Sequence, residues 1–200
     1  QHGTAVVSSA CIINALKIVN KEFSNIKVVI NGAGAAGTAI TKLLLKMGVK
    51  DIVICDSRGT IYKGRTSGMN KYKEELANIT NKSLVKGDLK EALKGADVFL
   101  GVSKANCVTE EMVRSMNADP IVMAMANPNP EILPEIALKA GAKIVCTGRS
   151  DFPNQVNNVL AFPGIFRGAL DVYASQINDE MKIAAAYAIA DLVDKDKLSP

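Results

Sequence analysis

Residues 26 to 37, IKVVINGAGAAG, constrain the fold more than any other stretch of the chain. Ile26-Lys27-Val28-Val29-Ile30 is short, apolar and rich in β-branched residues, as a buried parallel strand should be. It runs into Gly32-Ala33-Gly34-Ala35-Ala36-Gly37, a complete G-x-G-x-x-G. Helical periodicity follows from Thr38 to Met47, through Ile40, Leu43, Leu44 and Met47. Strand, glycine turn and helix form the context that a dinucleotide fingerprint requires. The first glycine permits the tight turn, the second lets backbone approach a pyrophosphate, and the third lets helix pack closely on strand. The free N–H groups at the helix start then face the phosphate, and the helix dipole favours its charge.

A glycine-rich turn of this kind also occurs as plain structure, so the next strand matters. Asp51-Ile52-Val53-Ile54-Cys55-Asp56 is a second apolar run, and it ends on an acid nineteen residues beyond Gly37. A Rossmann unit places there the carboxylate that hydrogen-bonds a ribose 2′-hydroxyl. Asp56 therefore strengthens the dinucleotide reading.

The remaining chain supplies more strands of the same kind: 96–103, 120–126 and 143–148. With the first two, about five strands alternate with helices, which predicts an α/β fold with a doubly wound, Rossmann-like parallel sheet. Extra helices are expected at both ends. One spans Thr4 to Asn20, with Thr4 as its N-cap, and others span 165–175 and 179–193. Between the second and third strands, Ser57 to Met69 reads as a long basic loop over the ligand face, followed by amphipathic helices at 70–80 and 88–94. Thr109 should cap a helix to Met116, and Pro130 should begin one that Gly141 stops. The boundaries expected are residues 1–175 for the dinucleotide-binding domain and 176–200 for a C-terminal helix.

Bulk properties exclude several classes. The formal charge is only +4, the lysines are mixed with acids, and aromatics make up 4%, which gives nucleic-acid binding little support. The apolar runs read as broken short of a membrane span. Cys11, Cys55, Cys107 and Cys146 are dispersed in sequence without a C-x-x-C pair, and Cys55 and Cys146 sit in strand-like runs. They read as reduced, buried thiols of an intracellular, cytoplasmic protein rather than as metal ligands. His2 is the sole histidine.

In doubly wound sheets, ligands bind beyond the carboxyl ends of the strands. The candidates are therefore Gly32 to Gly37, Asp56, Gly101 to Ser103 at the end of 96–103, Asn127, and the loop from Arg149 to Asn158, with Asn157 and Asn158. Asparagine offers a donor and an acceptor without charge, which suits a carboxylate or a hydroxyl. Asn157 and Asn158 could equally cap the segment that follows. Arg149 and Asp151 read as a surface pair, and Lys42, Lys46 and Lys50 as a solvated helix face. No general base near neutral pKa and no cluster of carboxylates stands out at this edge. Read from residues alone, the chain binds a nucleotide and lacks the machinery to react.

Several segments together resemble the malic enzymes, particularly the short bacterial type. They are the opening Gln1-His2-Gly3-Thr4-Ala5, VINGAGAAG, Ile54 to Gly59, Ala126-Asn127-Pro128-Asn129-Pro130-Glu131, and GRSDFPNQVNNVLAFPGIFRGALD at 148–171. The resemblance implies oxidative decarboxylation of L-malate to pyruvate and CO₂, with reduction of NAD or NADP and a Mg²⁺ or Mn²⁺ requirement. It implies cofactor binding by Gly32, Ala33, Gly34, Ala35, Ala36, Gly37, Asp56, Ser103 and Asn127, and malate binding by Asn127 and Asn158, with Asn157 the alternative to Asn158. The tyrosine, the lysine and the metal carboxylates of the family would precede Gln1, so no catalytic or metal residue is expected within these 200. Asp56 favours NAD over NADP, with Arg58 able to soften the preference. The terminal helices are expected to pack on an N-terminal domain or on a second copy in a homodimer. Two alternatives are another two-domain dehydrogenase, of the shikimate or methylene-tetrahydrofolate type, and a nucleotide-sensing module without catalysis.

Overall fold

A computed structural model describes residues 1–200. Six strands form one sheet: β1 (Lys27–Asn31), β2 (Asp51–Asp56), β3 (Gly59–Thr60), β4 (Val98–Gly101), β5 (Ile121–Ala124) and β6 (Ile144–Thr147). Their order is β3-β2-β1-β4-β5-β6, and every pairing is parallel except the two-residue edge strand β3, which runs antiparallel to β2. The order reverses between β1 and β4, where Asn31 lies beside Gly101. A doubly wound sheet opens its ligand crevice at that point.

The strands read as unbroken apolar runs because both faces of the sheet are buried. Val28, Ile30, Ile52, Ile54, Leu100 and Met123 face the larger core, which the helices α1 (His2–Val19), α2 (Ala35–Lys46) and α3 (Lys71–Ile79) cover. Val29, Val53, Phe99, Val122 and Val145 face the other core, under the short helices α4 (Leu89–Leu93), α5 (Glu110–Arg114) and α6 (Pro134–Lys139). Alternate residues thus take opposite faces, as the pleat demands. Two further helices, α7 (Phe162–Asp171) and α8 (Asp179–Ala190), complete the chain.

Several sequence expectations need correction. The sheet has six strands rather than five, because the supposed loop after Asp56 turns back to form β3, whose Thr60 N–H donates to the Gly87 carbonyl. α1 begins at His2, so Thr4 lies inside the helix rather than capping it. Its eighteen residues, with mean hydropathy 1.4, are long and apolar enough to cross a membrane, contrary to the reading of broken runs. The apolar surface is nevertheless spent inside the chain: Val6, Ala10, Ile13 and Leu16 are all buried, and the helix packs on α2 and α8. The Asn14 side chain donates to the Ala190 carbonyl at 2.8 Å, and Ala186 and Ala190 share the larger core, so α8 sits on the same body as the sheet. Pro130 does not open a helix; Pro134 does, at the start of α6. The caps at Asn70, Asp88 and Thr109 form as local physics predicts, each side chain accepting a backbone N–H from the first turn.

Candidate functional site at the carboxyl edge

The three fingerprint glycines differ in what they allow. Gly32 has φ +125°, and a Cβ there would meet the Val102 carbonyl oxygen at 2.8 Å. A Cβ on Gly37 would come within 1.7 Å of the Gly32 carbonyl oxygen, so no side chain fits where α2 crosses β1. Gly34, the N-cap of α2, has open space around it. Beyond it the first N–H groups of α2 have no helical partner, and no side chain caps them. This is a cradle shaped for a phosphate to approach backbone, and the residues fit a dinucleotide.

Asp56 ends β2, as the sequence places it, but its surroundings were not foreseen. Arg65 donates to both carboxylate oxygens at 2.9 and 3.0 Å, Lys73 donates to Oδ2 at 2.6 Å, and the Arg58 amide donates to Oδ1 at 2.8 Å. The Asp56 and Arg65 side chains are 7% and 5% exposed. Burial pushes the Asp56 carboxyl up, but the hydrogen bonds from Lys73, Arg65 and the Arg58 amide outweigh it and hold the group below its ordinary value. Arg65 is itself pinned by the carbonyls of Ser67, Gly59 and Thr60. Arg58 alone of the three cations is exposed, donating to the Ser67 hydroxyl. Arg65 and Lys73 are the site residues that sequence reasoning missed.

Ser103, Asn127, Asn157 and Asn158 converge. They line one cavity of about 370 Å³, together with Thr4, Ala36 of the glycine loop, and Gly148. Asn31, at the end of β1, donates to the Ser103 hydroxyl at 2.8 Å and fixes that turn against the fingerprint strand. A Cβ on Gly148 would lie 3.0 Å from the Asn127 amide nitrogen, so the glycine leaves room for that side chain. The two neighbouring asparagines divide their roles. Asn157 caps the turn at 158–160 by accepting the Val159 N–H at 3.0 Å, while the Asn158 carboxamide makes no such bond.

The loop bearing them is tied down from outside. Arg149 forms the expected pair with Asp151, at 2.8 and 2.5 Å, and also donates to the Pro128 carbonyl, joining the two asparagine loops. Lys42 and Lys46 are paired with Glu75 and Asp179 rather than simply solvated. The cysteines hold one surprise. Cys55 and Cys146 are buried as expected, but Cys11 and Cys107 are only half-buried; burial and then Asp56 push the Cys55 thiol up to about 12. Cys11 and Cys146, remote in sequence, meet at 3.1 Å between their sulfurs. No group of three or more His, Cys, Asp or Glu side chains converges to hold a metal, so these residues by themselves do not fit a divalent ion.

Comparison with known proteins agrees with this geometry. The family model described as malic enzyme, NAD-binding domain, matches residues 1–200. A bifunctional malic/malolactic enzyme of Bacillus subtilis is 65% identical over 199 residues, covering 100% of this chain and 48% of the relative. An NADP-dependent malic enzyme of Rhizobium meliloti is 55% identical, covering 98% and 26%. The crystal structure of the NAD-dependent malic enzyme of Thermotoga maritima superposes with a TM-score of 0.94 at 48% identity, covering 100% of this chain and 54% of that one. The chain spans about half the length, or less, of these relatives. The chain belongs to the malic enzyme family and corresponds to its NAD-binding domain.

Proposed function

We propose that this chain is the cofactor-holding half of an enzyme that oxidatively decarboxylates L-malate to pyruvate and CO₂. The observation that carries the reading is the shared cavity: Asn127 and Asn158 meet beside Ala36 of the glycine loop and Ser103. A bound nicotinamide dinucleotide would supply the hydride acceptor. The glycine loop would hold its pyrophosphate, and Asn31 would hold the Ser103 turn alongside. The unspent Asn158 carboxamide would hydrogen-bond malate, and Asn127 would lie between substrate and nicotinamide. The tyrosine, the lysine and the Mg²⁺ or Mn²⁺ ligands that the family resemblance assigns to the reaction would come from a preceding domain.

NAD is the nucleotide we propose. Asp56 keeps Arg65 and Lys73 engaged, which withdraws two cations from a 2′-phosphate, and only Arg58 remains at the rim to admit NADP. Relatives named for either cofactor are consistent with such a narrow margin. The exposed apolar side chains of and beside α7, including Phe166, Leu170, Val172 and Tyr173, would pack on the preceding domain or a second subunit.

The test is a full-length protein carrying this chain, assayed with malate and Mn²⁺ for NADH and pyruvate. Formation of both in equal amounts is expected. NADH binding without malate turnover in the full-length protein would favour a sensing module instead. The 200 residues alone are expected to bind NADH and not to turn malate over.

A further inference from the structure

Glu131 is completely buried, yet no lysine, arginine or histidine pairs with it. Its two oxygens instead accept one backbone N–H each: Oε1 from Ser103 at 3.1 Å, and Oε2 from Ala126 at 3.0 Å. Those amides belong to the turns where β4 and β5 leave the sheet, and both turns line the asparagine cavity. The backbone at 130–131 is stitched to the same region, since Asn106 N–H donates to the Pro130 carbonyl and Val108 N–H to the Glu131 carbonyl. Gly101 makes the space, because a Cβ there would stand 2.3 Å from the Glu131 carboxyl carbon.

Burying a carboxylate without a cation is costly, and burial accordingly pushes the Glu131 carboxyl up despite the amides it accepts. An apolar side chain of the same size would fill the space at less cost. It would, however, leave two turns untied, with their N–H groups orphaned at the ligand edge. Only a side chain with two acceptor oxygens can hold both turns at once; glutamine offers one acceptor and one donor group.

We infer that Glu131 is a positioning residue, a carboxylate clamp that fixes the Ser103 turn relative to the Ala126–Asn127 turn and so sets the width of the nicotinamide–substrate cavity. The assignment rests on the proposed function for the identity of the ligands, but not for the clamp itself.

The experiment uses the full-length protein and Glu131→Gln, with amide hydrogen exchange, NADH fluorescence titration and malate kinetics. Exchange should accelerate about tenfold or more at Ser103 or Ala126, while the interiors of β4 and β5 stay protected. NADH should bind about three- to tenfold more weakly. Turnover should fall about tenfold or more through kcat, because small misplacements of reacting groups are expensive. Should Glu131→Gln fail to fold, Gly101→Ala serves, since it displaces the carboxylate without removing it and should give the same local signature. Unchanged exchange at both amides would overturn the clamp. So would loosening spread evenly through β4 and β5 with NADH affinity intact. If the wild-type protein binds NADH but ignores malate, the functional reading fails while the exchange and NADH arms still judge the clamp.

Discussion

Arg65 grips both carboxylate oxygens of Asp56, at 2.9 and 3.0 Å, in a pocket that leaves each side chain less than a tenth exposed. The acid that a dinucleotide fold offers to a ribose is thus also the anchor of a buried ion pair, with Lys73 as a third member. The proposed preference for NAD over NADP rests on that anion holding its two cations.

Replacing Asp56 with Asn should release them. Arg65 would lose its buried partner, so the fold should weaken by about 3 kcal/mol. The freed cations should shift the ratio of NAD to NADP affinity toward NADP by about tenfold. Paired titrations of wild type and variant measure the shift. An equal loss for both nucleotides would show that Asp56 does not bias the choice.

Gly34 and Gly37 should respond oppositely to alanine. A Cβ on Gly37 collides with the Gly32 carbonyl, so Gly37→Ala should cost about 3 kcal/mol or more by overpacking and lower the thermal midpoint sharply. A Cβ on Gly34 meets no protein atom, and φ there is −83°. Gly34→Ala should therefore leave stability within about 0.5 kcal/mol of wild type. It should nevertheless weaken NADH binding about tenfold or more, because the methyl occupies the phosphate approach. Unaltered NADH affinity in this variant would argue against the phosphate cradle.

Asp97 predicts a pH dependence of stability. It is 5% exposed and accepts from Lys21 at 2.8 Å, from the Lys27 amide at 2.8 Å and from Asn117 at 3.1 Å. Burial pushes its carboxyl up, but these donors outweigh burial and hold it below its ordinary value. A carboxyl lowered on folding stabilises the native state above the unfolded-chain pKa of about 3.9, and that contribution disappears as pH falls through the folded value. Asp97→Asn should therefore lose about 2 kcal/mol at pH 7, with the gap to wild type narrowing below about pH 4. Urea midpoints at pH 7 and pH 3 check the sign. A gap that widens in acid would contradict the assignment.

How much of this was legible in the sequence depended on range. β2 was readable to the residue, because a strand buried on both faces leaves an unbroken apolar run that ends at its acid. That the glycine loop, Ser103, Asn127 and Asn158 share one edge is legible because the sheet edge collects whatever follows each strand. β3 was invisible, since two residues, Gly59 and Thr60, carry no periodicity and are held by β2 and Gly87. Arg65 lies nine residues past Asp56 in a loop and Lys73 seventeen residues past it on α3, and only the fold brings both side chains to the carboxylate. A cluster of basic residues after an acid-ended strand was the one available signal. The Cys11–Cys146 contact and the packing of α1 on α8 join residues 135 and 176 positions apart, which no local pattern encodes. Glu131 is expected just inside a helix begun by Pro130, whereas its two backbone contacts depend on space that Gly101 leaves thirty residues earlier.

The central claim is that one cavity holds the nicotinamide against malate, with Asn158 reading the substrate. Asn158→Ala in the full-length protein tests it most directly, by NADH titration and malate kinetics on the same preparation. The NADH dissociation constant should stay within about twofold of wild type, while the malate KM rises about tenfold or more, the worth of one or two lost hydrogen bonds. An unchanged malate KM, or an equal weakening of NADH, would contradict the account.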